Sequence, residues 1–179
     1  MRDIWLLKHD APSDDVVRVL SSMRALAPDL QTWHALDGSG CYSFSAAEAP
    51  TPPASALTGT WKRLRCVQEL AGASGGQTTA NHYIVETDVL PEFEDDLNAW
   101  YAQEHLPGLA GVPGTVRAAR YVDDAGSPKY YACYDLTDAD VLGSPAWLAV
   151  RATPWSSCVR PAFRNTRRTM FQRAMPEAL

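Results

Sequence analysis

The chain has 179 residues, enough for one fair-sized domain or two small ones fused. Apolar residues make up 46% and charged residues 21%, an ordinary soluble balance. The opening apolar run, Ile4 to Leu7, is too short for a leader or a membrane span, so a cytoplasmic protein with no membrane partner is expected.

Net charge is −5 and is unevenly spread. Residues 1–150 carry 10 Lys+Arg against 20 Asp+Glu, while residues 151–179 carry six Arg and one Glu. An acidic body argues against nucleic acid as a partner. The arginine-rich end either pairs with that body or faces an anionic ligand. Cys41, Cys66, Cys133 and Cys158 lie far apart with no CxxC, and His9, His34 and His82 have no ligand spacing, so neither a metal site nor a cofactor is expected. The cysteines read as free, buried thiols.

Ile4 to His9 reads as a strand. Ser13 is a good N-cap, and Val16, Val17, Leu20, Met23 and Leu26 recur at helical spacing until Pro28. Leu30 to Leu36 is a second strand, closed by the turn Asp37-Gly-Ser-Gly40, and Cys41 to Ala46 returns as its hairpin partner. Residues 48–60 hold three prolines and allow only a short or broken helix. Trp61 to Leu70 is a strand. Gly72-Ala-Ser-Gly-Gly-Gln77 reads as a linker.

The pattern then restarts. His82 to Val89 is a strand. Pro91 opens a helix with an acidic first turn, and Leu97, Trp100, Tyr101 and Glu104 continue it until Pro107 and Gly108. Thr115 to Val122 and Lys129 to Leu136 are strands around a turn, 138–150 is helical, and Phe163 to Arg173 is a last strand. Each half therefore reads β-α-β-β-α-β, the order of a ferredoxin-like unit. The expected fold class is α+β: tandem ferredoxin-like repeats forming a dimeric α/β-barrel-type arrangement of two antiparallel sheets. The divisions are 1–71, with a degenerate second helix, a linker at 72–78, and 79–179.

The second half concentrates its chemistry in Trp100-Tyr101 and Glu104-His105-Leu106-Pro107, followed by Val112-Pro113-Gly114. With Arg120-Tyr121, the strand Tyr130 to Leu136, and Thr153-Pro154-Trp155, this half resembles the dimeric α/β-barrel superfamily, near the EthD-like proteins and uncharacterised bacterial relatives. The resemblance covers roughly residues 80–175. The first half has no equivalent of the Glu-His-Leu-Pro motif; its helix ends in Ala25-Leu26-Ala27-Pro28. The superfamily includes cofactor-free monooxygenases, lactone isomerases and haem-handling proteins, so the resemblance leaves the activity open.

Tyr101 and His105 are i and i+4 and share a helix face, with Trp100 and Glu104 on an adjacent one. A histidine near a helix C-terminus is favoured as the cation and suits proton transfer; the plainer role is to cap the last turn. Asp135 is expected to cap its strand or pair with Arg120. His105 and Glu104 are the expected catalytic pair, with Trp100, Tyr101, Arg120 and Tyr134 binding a small aromatic or carboxylated compound. The expected function is a small-molecule-binding protein or a cofactor-free enzyme of proton-transfer, isomerase or monooxygenase-like type, and a homodimer. The alternatives are a non-catalytic binding or oligomerisation protein, and a haem-binding module with His105 as axial ligand.

Overall fold

A computed structural model describes residues 2–9, 30–46 and 59–173. The helix expected between Ser13 and Pro28, and most of the broken segment expected at 48–60, lie outside them.

Among the described residues eight strands form the sheet: β1 (Ile4–His9), β2 (Gln31–Ala35), β3 (Cys41–Ala46), β4 (Gly59–Ala71), β5 (Asn81–Val89), β6 (Thr115–Val122), β7 (Tyr130–Leu136) and β8 (Phe163–Arg173). They close in the order β1-β3-β2-β8-β5-β7-β6-β4, and every neighbouring pair is antiparallel. Within β1–β4 the lateral order is fourth, first, third, second; β5–β8 repeat it. The two separate facing sheets expected from sequence are instead one closed barrel. β2 pairs with β8 and β4 with β6, because an unpaired strand edge leaves backbone donors and acceptors open, and these four strands satisfy one another.

Alternation along the strands builds two cores. Leu6, Trp33, Tyr42, Leu64, Ile84 and Phe171 fill the barrel. Tyr83, Val85, Ala118, Ala132, Tyr134 and Leu136 point outward beneath the helices. Both faces of β5 are thus covered, and residues 81–87 are all buried.

The long helix, α1, runs from 94 to 110 as Glu94–Trp100, a wide π turn at Tyr101–His105, and Leu106–Ala110. It does not stop at Pro107, as expected from sequence. A proline lacks its own N–H and crowds the carbonyl four residues back, which ends a regular helix. Here the turn before it has already opened: the Leu106 N–H bonds the Tyr101 carbonyl, five residues back. The predicted 138–150 helix is split. A short turn at Ala139–Gly143 is followed by α2 (Pro145–Arg151), which Ser144 caps through the Trp147 N–H. A further helix, α3 (Pro154–Val159), is capped by Thr153 through the Ser156 N–H.

Residues 72–75 are fastened to the start of β6. The Gly72 N–H bonds the Val116 carbonyl at 2.9 Å and the Ser74 N–H the Thr115 carbonyl at 2.8 Å. A Cβ at Gly72 would lie 2.0 Å from the Thr115 carbonyl oxygen, so the backbones meet where only glycine fits.

Candidate functional site

The π turn sets the geometry beneath α1. It brings Trp100 and His105 face to face, ring centroids 4.0 Å apart and planes 20° from parallel. Tyr101 meets the His105 ring edge-on at 5.3 Å. Tyr134, from the outer face of β7, lines the same space. It is a cavity of about 30 Å³, room for a water molecule. Its rim carries Arg151, Arg160 and Arg168. None of these three has an ion pair among the described residues, and the Arg160 guanidinium is pulled down by burial and by its two arginine neighbours.

His105 is not the dipole-favoured cation expected from sequence. The helix continues past it, so it sits inside the helix rather than at its end. Burial, reinforced by Arg151 and Arg160, pulls its pKa down to about 3. The ring is neutral at physiological pH, and its buried Nδ1 has no hydrogen-bond partner.

On the other side of Tyr101 lies Arg120. Its guanidinium is held between two tyrosine rings, 4.5 Å from the Tyr101 centroid and 4.7 Å from that of Tyr130. Arg120 is buried, and its Nε and Nη2 have no partner. It lines a groove of about 420 Å³ that also holds Tyr130, Lys129 and Glu94. Lys129 Nζ and the Tyr130 hydroxyl both donate to Glu94.

Four of the six residues expected at the site therefore come together: Trp100, Tyr101, His105 and Tyr134. Arg120 joins them through the Tyr101 ring. Glu104 turns away. One of its carboxylate oxygens accepts from the Thr153 hydroxyl at 2.6 Å and from Trp100 Nε1 at 3.2 Å, tying α1 to the loop before α3. The expected Asp135–Arg120 pair is also absent. Arg117 is the cross-strand partner of Asp135, and Arg120, three residues on, falls on the opposite face.

Asp135 belongs instead to a polar cluster inside one end of the barrel, which sequence reasoning missed. His82 Nδ1 lies 2.6 Å from Asp135 Oδ1, and Arg117 Nε donates to Oδ2 at 2.7 Å. Arg117 Nη1 also donates to Glu69 at 2.9 Å and to the Tyr121 hydroxyl at 3.1 Å. Burial alone would raise the Asp135 carboxyl; the hydrogen bonds from His82 and Arg117 and the Arg117 charge outweigh it and hold the group well below the usual carboxylate range. The ionised Asp135 can only accept, so His82 Nδ1 carries the proton. In the neutral ring Nε2 is then an acceptor, and it is buried without a partner. These residues line a cavity of about 630 Å³ at the barrel mouth. The signal in the sequence was slight: a histidine and an aspartate on two apolar strands, 53 positions apart.

No family model and no curated protein matches this sequence. Solved structures do match in fold. A monooxygenase-like protein from Listeria innocua is 10% identical with a TM-score of 0.65, over 100% of this chain and 96% of that one. An uncharacterised ferredoxin-fold protein from Listeria monocytogenes, related to antibiotic biosynthesis monooxygenases, is 7% identical with a TM-score of 0.62, over 98% and 96%. A heme-degrading enzyme from Listeria monocytogenes is 9% identical with a TM-score of 0.58, over 96% and 99%. The chain thus shares its α+β fold with these proteins. At these identities the likeness is one of fold alone. No helix among the described residues is long and apolar enough to cross a membrane.

Proposed function

We propose that the protein binds a small aromatic carboxylate beneath α1 and acts on it as a cofactor-free enzyme of monooxygenase-like type. Arg120 carries this reading. A buried guanidinium with two unpartnered N–H groups and no carboxylate is costly, and a ligand anion repays that cost in the bidentate geometry arginine favours. Neutral His105 accepts a hydrogen bond at Nδ1 from a phenolic or enolic hydroxyl of the ligand and orients it; its lowered pKa makes it an acceptor and not a base. Trp100, Tyr101 and Tyr134 supply the apolar wall. Arg151, Arg160 and Arg168 draw the anion toward the cleft. Tyr101 stands between Arg120 and His105, so entry moves its side chain, and the π turn is where α1 gives.

The fold neighbours described as monooxygenase-like and related to antibiotic biosynthesis monooxygenases support this choice of chemistry. The heme-degrading neighbour raises haem, which fits less well: a macrocycle reaching His105 would have to part the Trp100–His105 stack at 4.0 Å, whereas a single ring needs only Tyr101 to move. The reading also keeps 1–71 and 79–179 as two halves of one duplicated unit joined at 72–78, an EthD-like affinity for the second half, a cytoplasmic location and a homodimer.

Salicylate, which carries an acidic group and a phenol on one ring, is the probe. Calorimetric titration is expected to show binding that Arg120→Met weakens at least tenfold, and an oxygen electrode distinguishes turnover from binding alone. Equal affinity in the wild type and Arg120→Met overturns the site.

A further inference from the structure

The barrel mouth is built as a second site, independent of the cleft beneath α1. His82 is 4% exposed, and its ring packs against Trp33 at 5.3 Å and Phe44 at 5.2 Å between centroids. Nδ1 is committed to Asp135 at 2.6 Å, so in the neutral ring the unpartnered Nε2 is the acceptor of an oriented His–Asp pair. Arg117 is occupied by Asp135 and Glu69 and contributes no free charge. Asp3 is occupied as well, by Arg63 at 3.2 Å and by the Cys66 N–H at 3.0 Å. The cations left over are Arg2 and Arg173, both lining the cavity without an ion pair among the described residues.

The register fixes where Arg173 sits. Phe171 is the cross-strand partner of His82 and points into the barrel. Arg173 is two residues further along β8, on the same face, opposite Trp33. One same-face step along a strand is about 7 Å. The mouth therefore presents an aromatic wall, a hydrogen-bond acceptor at its floor and an arginine whose backbone position lies one such step nearer the rim than Phe171.

We propose that this cavity binds a hydroxylated aromatic carboxylate whose hydroxyl and carboxylate stand at opposite ends of one ring. The hydroxyl donates to His82 Nε2, the ring lies along Trp33 and Phe44, and the carboxylate meets Arg173. A ligand with both groups on adjacent ring carbons cannot span acceptor and cation. A ligand without the hydroxyl leaves Nε2 unpaired, which is costly in a buried setting.

The test uses 4-hydroxybenzoate, benzoate and salicylate, with nitrogen-15 spectra of the histidine rings and calorimetry on the whole chain. The His82 signals are assigned by their loss in His82→Gln. 4-Hydroxybenzoate is expected to shift the His82 Nε2 resonance at saturation. Benzoate and salicylate are expected to bind there at least tenfold more weakly. Arg173→Met, an exposed rim change that leaves the core untouched, is expected to weaken 4-hydroxybenzoate at least tenfold. The His82 shift on titration with 4-hydroxybenzoate is unchanged in Arg120→Met, which separates this site from the cleft beneath α1. An unmoved His82 signal, equal affinity in Arg173→Met, or no binding of 4-hydroxybenzoate overturns the proposal.

Discussion

Trp100 and His105 stack face to face although they are five residues apart, a contact that a regular α-helix does not make. The π turn creates it and at the same time buries the imidazole. Proton nuclear magnetic resonance of the His105 ring is expected to show no titration between pH 5 and 8, since its folded pKa is pulled down to about 3. The unfolded chain takes up that proton near the ordinary histidine value and the folded chain does not. The His105 contribution to stability is therefore fully present above pH ~6.5 and falls as pH drops toward 3, by about 1.4 kcal/mol per pH unit. His105→Phe is expected to flatten that part of the stability–pH profile. A titration of His105 near pH 6.5 would show that the ring is not buried as described.

Arg120→Met is expected to separate stability from binding. The substitution removes a buried cation that has no carboxylate and loses two tyrosine contacts of about 1 kcal/mol each. Denaturant unfolding is expected to place the variant within about 1 kcal/mol of the wild type, or above it. A loss of several kcal/mol would make Arg120 a structural residue.

Glu104 is expected to act as a positioning residue. Glu104→Ala removes the acceptor of both Trp100 Nε1 and the Thr153 hydroxyl and is expected to cost about 2 kcal/mol. Glu104→Gln keeps a carbonyl oxygen that accepts from both donors and is expected to retain turnover. Loss of turnover in Glu104→Gln at unchanged melting temperature would make it a base after all.

Gly72→Ala is expected to destabilise by about 3 kcal/mol or more, because the new Cβ meets the Thr115 carbonyl oxygen at 2.0 Å. Gly76→Ser, in open space, is the comparison: its cost is limited to the positive φ of that residue, 85°. Equal melting temperatures for Gly72→Ala and the wild type would show that residues 72–75 are not clamped to β6.

Much of the strand pattern was legible because period-two alternation and turn residues are local. The ends of β1, β3 and β8 fall where the sequence placed them. Helix ends were less legible. Pro107 reads as a stop, and only the hydrogen-bond shift five residues back explains why it is not one. Thr153-Pro154 carries a cap and a first-turn proline that mark α3, a local signal that was there to be read. The aromatic–histidine grouping under α1 followed from helical spacing, since Tyr101 and His105 lie one turn apart. The His82–Asp135 pair did not, because it depends on the register of β5 against β7. Register is a property of two distant segments, and a shift of one residue would have put the two side chains on opposite faces.

The closed ring of strands has a consequence for assembly. Proteins with open sheets often associate by extending one sheet into another, edge against edge. In this chain β2 and β8 meet, as do β4 and β6, and the circle is complete. Among the described strands a second copy therefore finds no open edge on which to continue the sheet, and association through them proceeds by side chains on the outer surface. Cleavage within 72–78 would not by itself release β5–β8 from β1–β4, since two ladders of backbone hydrogen bonds still join them. The chain is expected to behave as one cooperative body even when it is cut in two.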